Sequence, residues 1–485
     1  MERVEAEAVF EQGRDAVVSV LLALSAQNER LQAQVESLTA RVARQDERIA
    51  QLERRLGRSS RNSSQPPSVD PPGTAAPKRG KDSSGRRQGA QSGHEGKGRP
   101  LLPAWAVDEV VEHWPIDCEC GHVFAEDERV AVGDPVRHQV EELPPITITV
   151  TEHRCQRVCC PGCGRRRRAR LPREVAGSMF GPRFQAAVAM LSVRNRISRR
   201  DVVELCEQLF GSRISTGTVD AILCRVADAL VDPCEDLLDR LRASKTVNMD
   251  ETGWRTAGQR RALWGIFDQR HAYLHVATDR HEDHAKALLA DTKAVVTSDR
   301  WWAYTHLPLA RRQLCWAHLA RDFKAHAEGM AAEREFGEHG LRICERLFWA
   351  WEVFQHTHDR TELQAAIREL QREFKPIVHR YAGKSPRYKY CRGIARNLLK
   401  AWAALWTFAK HAGVEPTNNH AERALRGAVI YRKLSLGSQS SEGEQRVGRL
   451  LSAHTTCRLQ HRPLHAYLTD AIAAHSRGDP VPLLT

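Results

Sequence analysis

After Ala243 the chain stops reading with a helical period and begins to alternate like strands. The order of the elements beyond that point limits its topology more than any other feature. "KTVNMDETGW" (245–254) predicts a strand that carries Asp250 and Glu251. "RRALWGIFDQ" (260–269) and "HAYLHVATD" (271–279) predict two more, joined by a tight turn. "EDHAKALLAD" (282–291) has a helical pattern, and "KAVVTSDRWWAY" (293–304) predicts a fourth strand with Asp299 at its end.

Three strands, a helix and a strand ending in an acid is how a ribonuclease-H-like α/β core begins. In that arrangement the first and fourth strands are neighbours, so Asp250 and Asp299 are expected to face each other. Two carboxylates at adjacent strand ends suit a hard cation such as Mg²⁺, which takes oxygen ligands. "PTNNHAERALRG" (416–427) reads as the opening of a helix, and its lone Glu422 is the candidate third ligand. Asn418 and Asn419, one turn back, are expected to cap and orient that helix. Three carboxylates complete a two-metal site with ions roughly 3.5–4 Å apart. Any one of these acids alone reads as a turn residue or a cap; the reading rests on the three together. Between Asp299 and Glu422, residues 325–412 read as long helices, a helical insertion that splits the core into 244–324 and 413–485. Trp349, Trp351, Trp402 and Trp406 fall at helical spacing there and are expected in its core.

The rest of the chain divides into four further segments. Over 1–56, apolar residues step by four and three from Val17 to Leu56. The a positions are Leu21, Asn28, Val35, Val42, Ile49 and Leu56, and Leu24, Leu31, Leu38 and Leu52 stand at d. That pattern favours a parallel two-stranded coiled coil, hence a homodimer, over a single amphipathic helix. Residues 57–104 are rich in Ser, Gly, Pro, Lys and Arg with almost nothing apolar, which predicts a flexible basic linker. Residues 105–175 hold two cysteine clusters, "DCECGH" and "HRCQRVCCPGCGRRRR", around a strand-like stretch, 137–155. This is the plan of a zinc ribbon. The preferred ligands are Cys118, Cys120, Cys160 and Cys163, with Cys155, Cys159 or His122 as substitutes. Arg165, Arg166, Arg167 and Arg168 follow and suit phosphate contact. Over 176–243 one helix ends near Phe210, Gly211 breaks it, and a second opens at Ser215 or Thr216, the spacing of a helix-turn-helix. The whole is a multidomain α+β chain.

Charge points the same way. With 73 Lys+Arg against 60 Asp+Glu the formal net charge is +13, which favours a polyanion partner, nucleic acid first. Thirteen cysteines, an odd number with several in close pairs, fit metal binding in a reducing compartment better than a disulfide framework. The N-terminus lacks the features of a signal peptide and no apolar run approaches a membrane span. A cytoplasmic, nucleoid-associated protein is expected.

Several blocks in order give the chain a resemblance to the transposases of the insertion sequence 66 family, which are DDE enzymes. They are "SSRNSSQPPSVD", "MDETGWR" (Met249 to Arg255), "SDRWWAY" (Ser298 to Tyr304), "QLCWAHLARDF" (Gln313 to Phe323), "TNNHAERALR" (Thr417 to Arg426) and "YRKLSLGSQSSEGE" (Tyr431 to Glu444). The chain departs from the family at Cys118-x-Cys120, where two intervening residues are more usual. The resemblance implies that Asp250, Asp299 and Glu422 are the DDE triad. It implies Mg²⁺- or Mn²⁺-dependent strand cleavage at element terminal repeats and strand transfer to target DNA, with structural Zn²⁺ and, in some members, accessory proteins. Asn419, His318 and Arg321 then support the site. His318 and Arg321 either contact the scissile phosphate or only pack, and Arg423, Arg426, Arg432 and Lys433 are candidate DNA contacts. The rival readings are a DNA-binding regulator without chemistry and a structure-selective nuclease on the same core.

Overall fold

The computed structural model describes residues 10–11, 13–56, 99–329 and 332–485. The linker expected over 57–104 lies largely outside them. The first long element is a helix of 43 residues, α1 (Arg14–Leu56). Leu21, Leu24, Leu31, Val35, Leu38, Val42 and Ile49 form an exposed apolar stripe along it. Residues 137–155, expected to form strands, make no strand pairing: they are exposed and lack a second sheet partner. Instead the hairpin forms around the second cysteine knuckle, where β1 (Arg157–Cys159) pairs with β2 (Arg166–Arg168).

A helical layer follows: α2 (Pro182–Ala189), α3 (Arg199–Phe210), α4 (Thr216–Ala229) and α5 (Val231–Ala243). The boundaries follow local chemistry. Ser198 Oγ accepts from Asp201 N–H, and Ser215 Oγ accepts from Thr218 N–H. Gly211 ends α3 with φ 64°, a left-handed position that favours glycine. Val219, Ile222, Leu223, Val226, Ala227 and Ala229 of α4 are buried. Thr216, Gly217, Ala221 and Asp228 of the same helix are exposed.

The sheet has the order β5-β4-β3-β6-β7. It comprises β3 (Thr246–Thr256), β4 (Gln259–Phe267), β5 (Ala272–Ala277), β6 (Val295–Ser298) and β7 (Arg312–Leu314). β3, β4 and β5 are antiparallel, whereas β6 runs parallel to β3 and β7 parallel to β6. Ala257 and Gly258, with φ 48° and 79°, form the two-residue β3–β4 turn, matching the twist of the hairpin. α6 (Glu282–Leu289) fills the crossover from β5 to β6. This mixed α+β arrangement is consistent with a ribonuclease-H-like core.

After β7 come α7 (Trp316–Ala327), α8 (Ala332–Thr357), α9 (Arg360–Ala382) and α10 (Arg392–Lys400). They gather a core of their own around Trp316, Phe323, Phe336, Phe374 and Trp406. Trp351 and Trp402 pack against it, but Trp349 is 67% exposed, contrary to the sequence expectation. The helical period that puts Trp351 inward turns Trp349, two residues earlier, away from the core. Gln313 stitches the open side of β7 to the insertion: its Nε2 donates to Leu405 O (3.2 Å) and its Oε1 accepts from Phe408 N–H (2.8 Å).

The chain closes with α11 (Asn419–Ser435), α12 (Ser441–Leu459) and α13 (Leu464–Arg477). These share one continuous core with the sheet and with α2–α5, including Val188, Ile222, Leu237, Trp264, Leu451 and Tyr467. α12 covers the edge of β5. Ser452 Oγ accepts from Leu274 N–H (2.8 Å) and Thr456 Oγ1 from Ala272 N–H (3.0 Å), so the unpaired strand edge is hydrogen-bonded by hydroxyls. Gly448 allows this approach: a Cβ there would stand 2.9 Å from Leu274 O. Among the described residues no helix is long and apolar enough to cross a membrane.

Candidate active site

β3 supplies the first acid. Along a strand alternate side chains share a face, and Asn248, Thr252 and Trp254 all contact α11 or its N-cap. Asn248 Nδ2 donates to Asn418 Oδ1, Arg432 Nη1 donates to Thr252 Oγ1, and Trp254 stacks on Tyr431. Asp250 belongs to that face. β3 pairs with β6 through Asn248↔Thr297, and continuing this register by two residues sets Asp250 opposite Asp299. Asp299 is the residue after β6, and its Oδ1 accepts the Trp301 N–H (2.8 Å) in a tight turn. Burial pushes the Asp250 carboxyl well above the usual carboxylate range, and the like charges of Glu251, Asp299 and Glu422 push it further. The charges of carboxylates on three separate elements therefore reach Asp250, although oxygens of Asp250, Asp299 and Glu422 do not all lie within 4.8 Å of one another.

The segment before Glu422 is pinned at both ends. Trp316 N–H donates to Pro416 O (2.9 Å), and Asn418 N–H donates to Cys315 Sγ (3.1 Å). Asn418 is wholly buried and stands at the helix N-cap, but its side chain does not cap. Its Nδ2 donates to Met249 O (2.8 Å) and its Oδ1 accepts from Asn248 (3.0 Å). The expected cap is thus a cross-link from α11 to β3, because Asn248 Nδ2 takes the side-chain oxygen that a cap would offer to the helix's N–H groups. Asn419 opens the helix, half-buried.

Glu422 Oε1 lies 3.2 Å from Arg321 Nη2 and 3.6 Å from His318 Nδ1, both on α7. Burial, then the Arg321 charge, hold the His318 pKa below its ordinary value despite the opposing fields of Glu422, Asp299 and Asp322. These influences favour the neutral imidazole. Cys315, at the N-cap of α7, is buried, and burial raises its thiol pKa against three backbone N–H groups aimed at the sulfur. On the other face of β3, Tyr304 Oη donates to the buried Glu251 Oε2 (2.6 Å). Burial and then Asp299 raise the Glu251 pKa; Tyr304 and Arg280 oppose them. Arg300 pairs with Asp322 beside the site.

Sequence reasoning missed Asn248, Cys315, Arg280 and the Glu251–Tyr304 pair. Two of these carried a signal. Asn248 stands two residues before Asp250 on the same strand face, and Cys315 stands three before His318 on one helical turn. Arg280 joins Arg255, Arg260, Arg261 and Arg432 around a cleft of about 550 Å³ beyond Thr252.

The candidate DNA contacts divide. Arg165, Arg166, Arg167 and Arg168 are exposed, as are Arg423, Arg426 and Lys433 of α11. Arg432 is half-buried, with its guanidinium bonded to Thr252 and to the Gly253 carbonyl, so it ties α11 to β3. The cysteines meet in pairs. Cys120 is hydrogen-bonded to Cys118, and Cys160 to Cys163. Backbone N–H groups, then the partner thiol, lower the pKa of Cys120 and of Cys160. His122 Nε2 lies 3.0 Å from Glu128 Oε2. The two pairs do not converge. Among the described residues, the one group of three ligand atoms mutually within 4.8 Å is Cys315, His318 and Glu422.

Comparison with known proteins adds three findings. The model of the family described as "Transposase IS66 family" matches residues 177–446, more than half of the chain. A family of unknown function (DUF6444) matches residues 22–100. An uncharacterised protein, y4hP of Sinorhizobium fredii, is 24% identical over 420 residues, covering 77% of this chain and 74% of its own.

Proposed function

The chain belongs to the IS66 transposase family, and from that premise we propose that it cuts DNA at the ends of a mobile element and joins them to new DNA. Water hydrolyses a phosphodiester at each end, and the freed 3′-hydroxyl then attacks a target phosphodiester. Each step exchanges one P–O bond for another, so neither an external energy source nor a covalent protein–DNA link is needed.

The observation that carries this reading is the placement of the three acids: Asp250 on β3 beside β6, which Asp299 directly follows, and Glu422 on the helix that Asn418 ties to β3. Anionic oxygen donors from β3, the end of β6 and α11 fit a hard divalent cation. Asp250, Asp299 and Glu422 would hold Mg²⁺ or Mn²⁺, which when bound supplies charge neutralisation and an acidified water. Arg321 holds Glu422 in place and is near enough to turn to a phosphate. His318 keeps a second contact on the same carboxylate. The arginine-lined cleft beside β3 suits the DNA backbone, joined by Arg423, Arg426 and Lys433 on the exposed side of α11.

The outlying segments are read with the same aim. The exposed apolar stripe of α1 supports a parallel coiled-coil homodimer, which would let two protomers hold two element ends. Cys118 with Cys120 and Cys160 with Cys163, which stand apart as two pairs, would hold a structural zinc of a ribbon-like module over 105–175 only by closing on each other, with Arg165 to Arg168 beside the second pair for phosphate contact. Residues 57–104 are read as a basic linker from the coil, and the helices of 176–243, with exposed Arg199, Arg200 and Arg213, as a DNA-binding region.

The test is an end-cleavage assay: purified protein, the DNA termini flanking its gene, and Mg²⁺, alongside Glu422→Gln, Asp250→Asn and Asp299→Asn. Cutting by wild type and by none of the amide variants is the expected result, with joined products on a circular target. Unchanged turnover in Asp250→Asn sinks the triad. Cutting without joining favours a nuclease, and binding without cutting a regulator.

A further inference from the structure

Cys315 has no part in the proposed DNA chemistry, yet its sulfur lies beside the third carboxylate. One ligand atom from each of Cys315, His318 and Glu422 lies within 4.8 Å of the other two. Cys315 and His318 stand three residues apart at the start of α7, which puts both on one face of its first turn. Glu422 reaches them from α11. A sulfur, an imidazole nitrogen and a carboxylate oxygen are the donors of a borderline ion such as Zn²⁺, and a thiolate is foreign to Mg²⁺.

The geometry is close to what such an ion requires. Tetrahedral bonds of about 2.0–2.3 Å set ligand atoms about 3.3–3.7 Å apart. His318 Nδ1 and Glu422 Oε1 are already 3.6 Å apart. That nitrogen is buried and makes no hydrogen bond. The backbone N–H groups of Asn418, Ala317 and His318 face the sulfur and would steady a thiolate.

We infer that Cys315, His318 and Glu422 form a site for a zinc-class divalent ion, separate from the three-carboxylate site but sharing Glu422 with it. The fourth position goes to water. On binding, the Cys315 thiol releases its proton to solvent and His318 carries its remaining proton on Nε2. Arg321, 3.3 Å from Nε2 and with a side chain 42% exposed, swings off both His318 and Glu422. The binding claim stands on the three side chains alone. Its consequence rests on the proposed function: an ion held here withdraws Glu422 from Asp250 and Asp299, so zinc load would switch the DNA chemistry off.

Cobalt(II) is the probe, because tetrahedral and thiolate-bound Co²⁺ absorb characteristically. The full chain would be titrated with Co²⁺ alone and the bound equivalents counted. The other thiols also bind cobalt, so the comparison is between variants. Cys315→Ser should lose one equivalent and its share of the thiolate band. Cys160→Ser with Cys163→Ser should keep that equivalent. Glu422→Gln should bind it about tenfold or more weakly. Should Cys315→Ser fail to fold, as judged by circular dichroism, His318→Ala carries the same comparison. Equal stoichiometry in wild type and these variants overturns the site. A wild type that cuts no DNA but loses an equivalent in Cys315→Ser keeps the site and refutes the proposed function. Cutting with unchanged stoichiometry does the reverse.

Discussion

Replacing Asn418 by alanine tests whether the site is assembled through that side chain. Asn418 is 0% exposed and spans α11 and β3, giving 2.8 Å to Met249 O and taking 3.0 Å from Asn248 Nδ2. Each hydrogen bond is worth about 1 kcal/mol net, and leaving its buried partners short of a bond adds about as much again, so the loss is about 2–4 kcal/mol. At about 2–4 °C per kcal/mol, the calorimetric transition of the core should fall by about 4–16 °C. The chemistry should suffer more. Met249 adjoins Asp250, and Glu422 follows Asn418 by one helical turn. A shift of about 1 Å between them costs about a hundredfold in end cleavage. Asn418→Asp keeps volume and acceptor but sets a carboxylate against the Met249 carbonyl and near Asp250, and should be worse than alanine at neutral pH. If Asn418→Ala melts within about 1 °C of wild type and cuts as fast, the cross-link does not position the acid and this reasoning fails.

Asp250 and Glu251 both have pKa values raised on folding. The folded chain therefore binds their protons more tightly, and their contribution to stability is full below the unfolded carboxyl value of about 4 and is lost as pH rises through the folded values. Asp250→Asn should melt higher than wild type at neutral pH and lose that advantage on acidification; a lower melting point at pH 7 would contradict the charge repulsion. Tyr304→Phe removes a hydrogen bond from the buried Glu251 carboxylate and should cost about 1.5–3 kcal/mol in denaturant titration. Most of that cost should vanish in a Glu251→Gln background, and an additive double-mutant cycle would show that the pair does not interact. Thr456→Val keeps the shape of α12 but strips a partner from Ala272 N–H on the β5 edge. Faster hydrogen exchange at Ala272 and a loss of about 1–3 kcal/mol are expected, and unchanged exchange would mean that water replaces the hydroxyl.

Much of the core was legible because its signals are local. Strand alternation located β3, β4, β5 and β6, and an acid at a strand end is visible without any partner. Ser198, Gly211 and Ser215 mark helix ends by their own hydrogen bonds or backbone angle. Other readings failed where the deciding contact was remote. The alternation of 137–155 promised strands, but a strand needs a partner edge, and none pairs with it. The break between α3 and α4 was legible, but not that one face of α4 packs against α2, α12 and α13 while Thr216, Gly217, Ala221 and Asp228 stay exposed.

The sequence by itself therefore determined which residues carry charge, which elements they ride on and the order of those elements. Period, capping and turn chemistry act over a few residues and need nothing else. Only the tertiary structure decided what those residues meet. It turned Asn418 from a cap into a cross-link, tied Arg432 to β3, and brought Cys315 and His318 from α7 against Glu422. These meetings join segments about a hundred residues or more apart, where the chain's own periodicity carries no information and packing of two cores sets the distance.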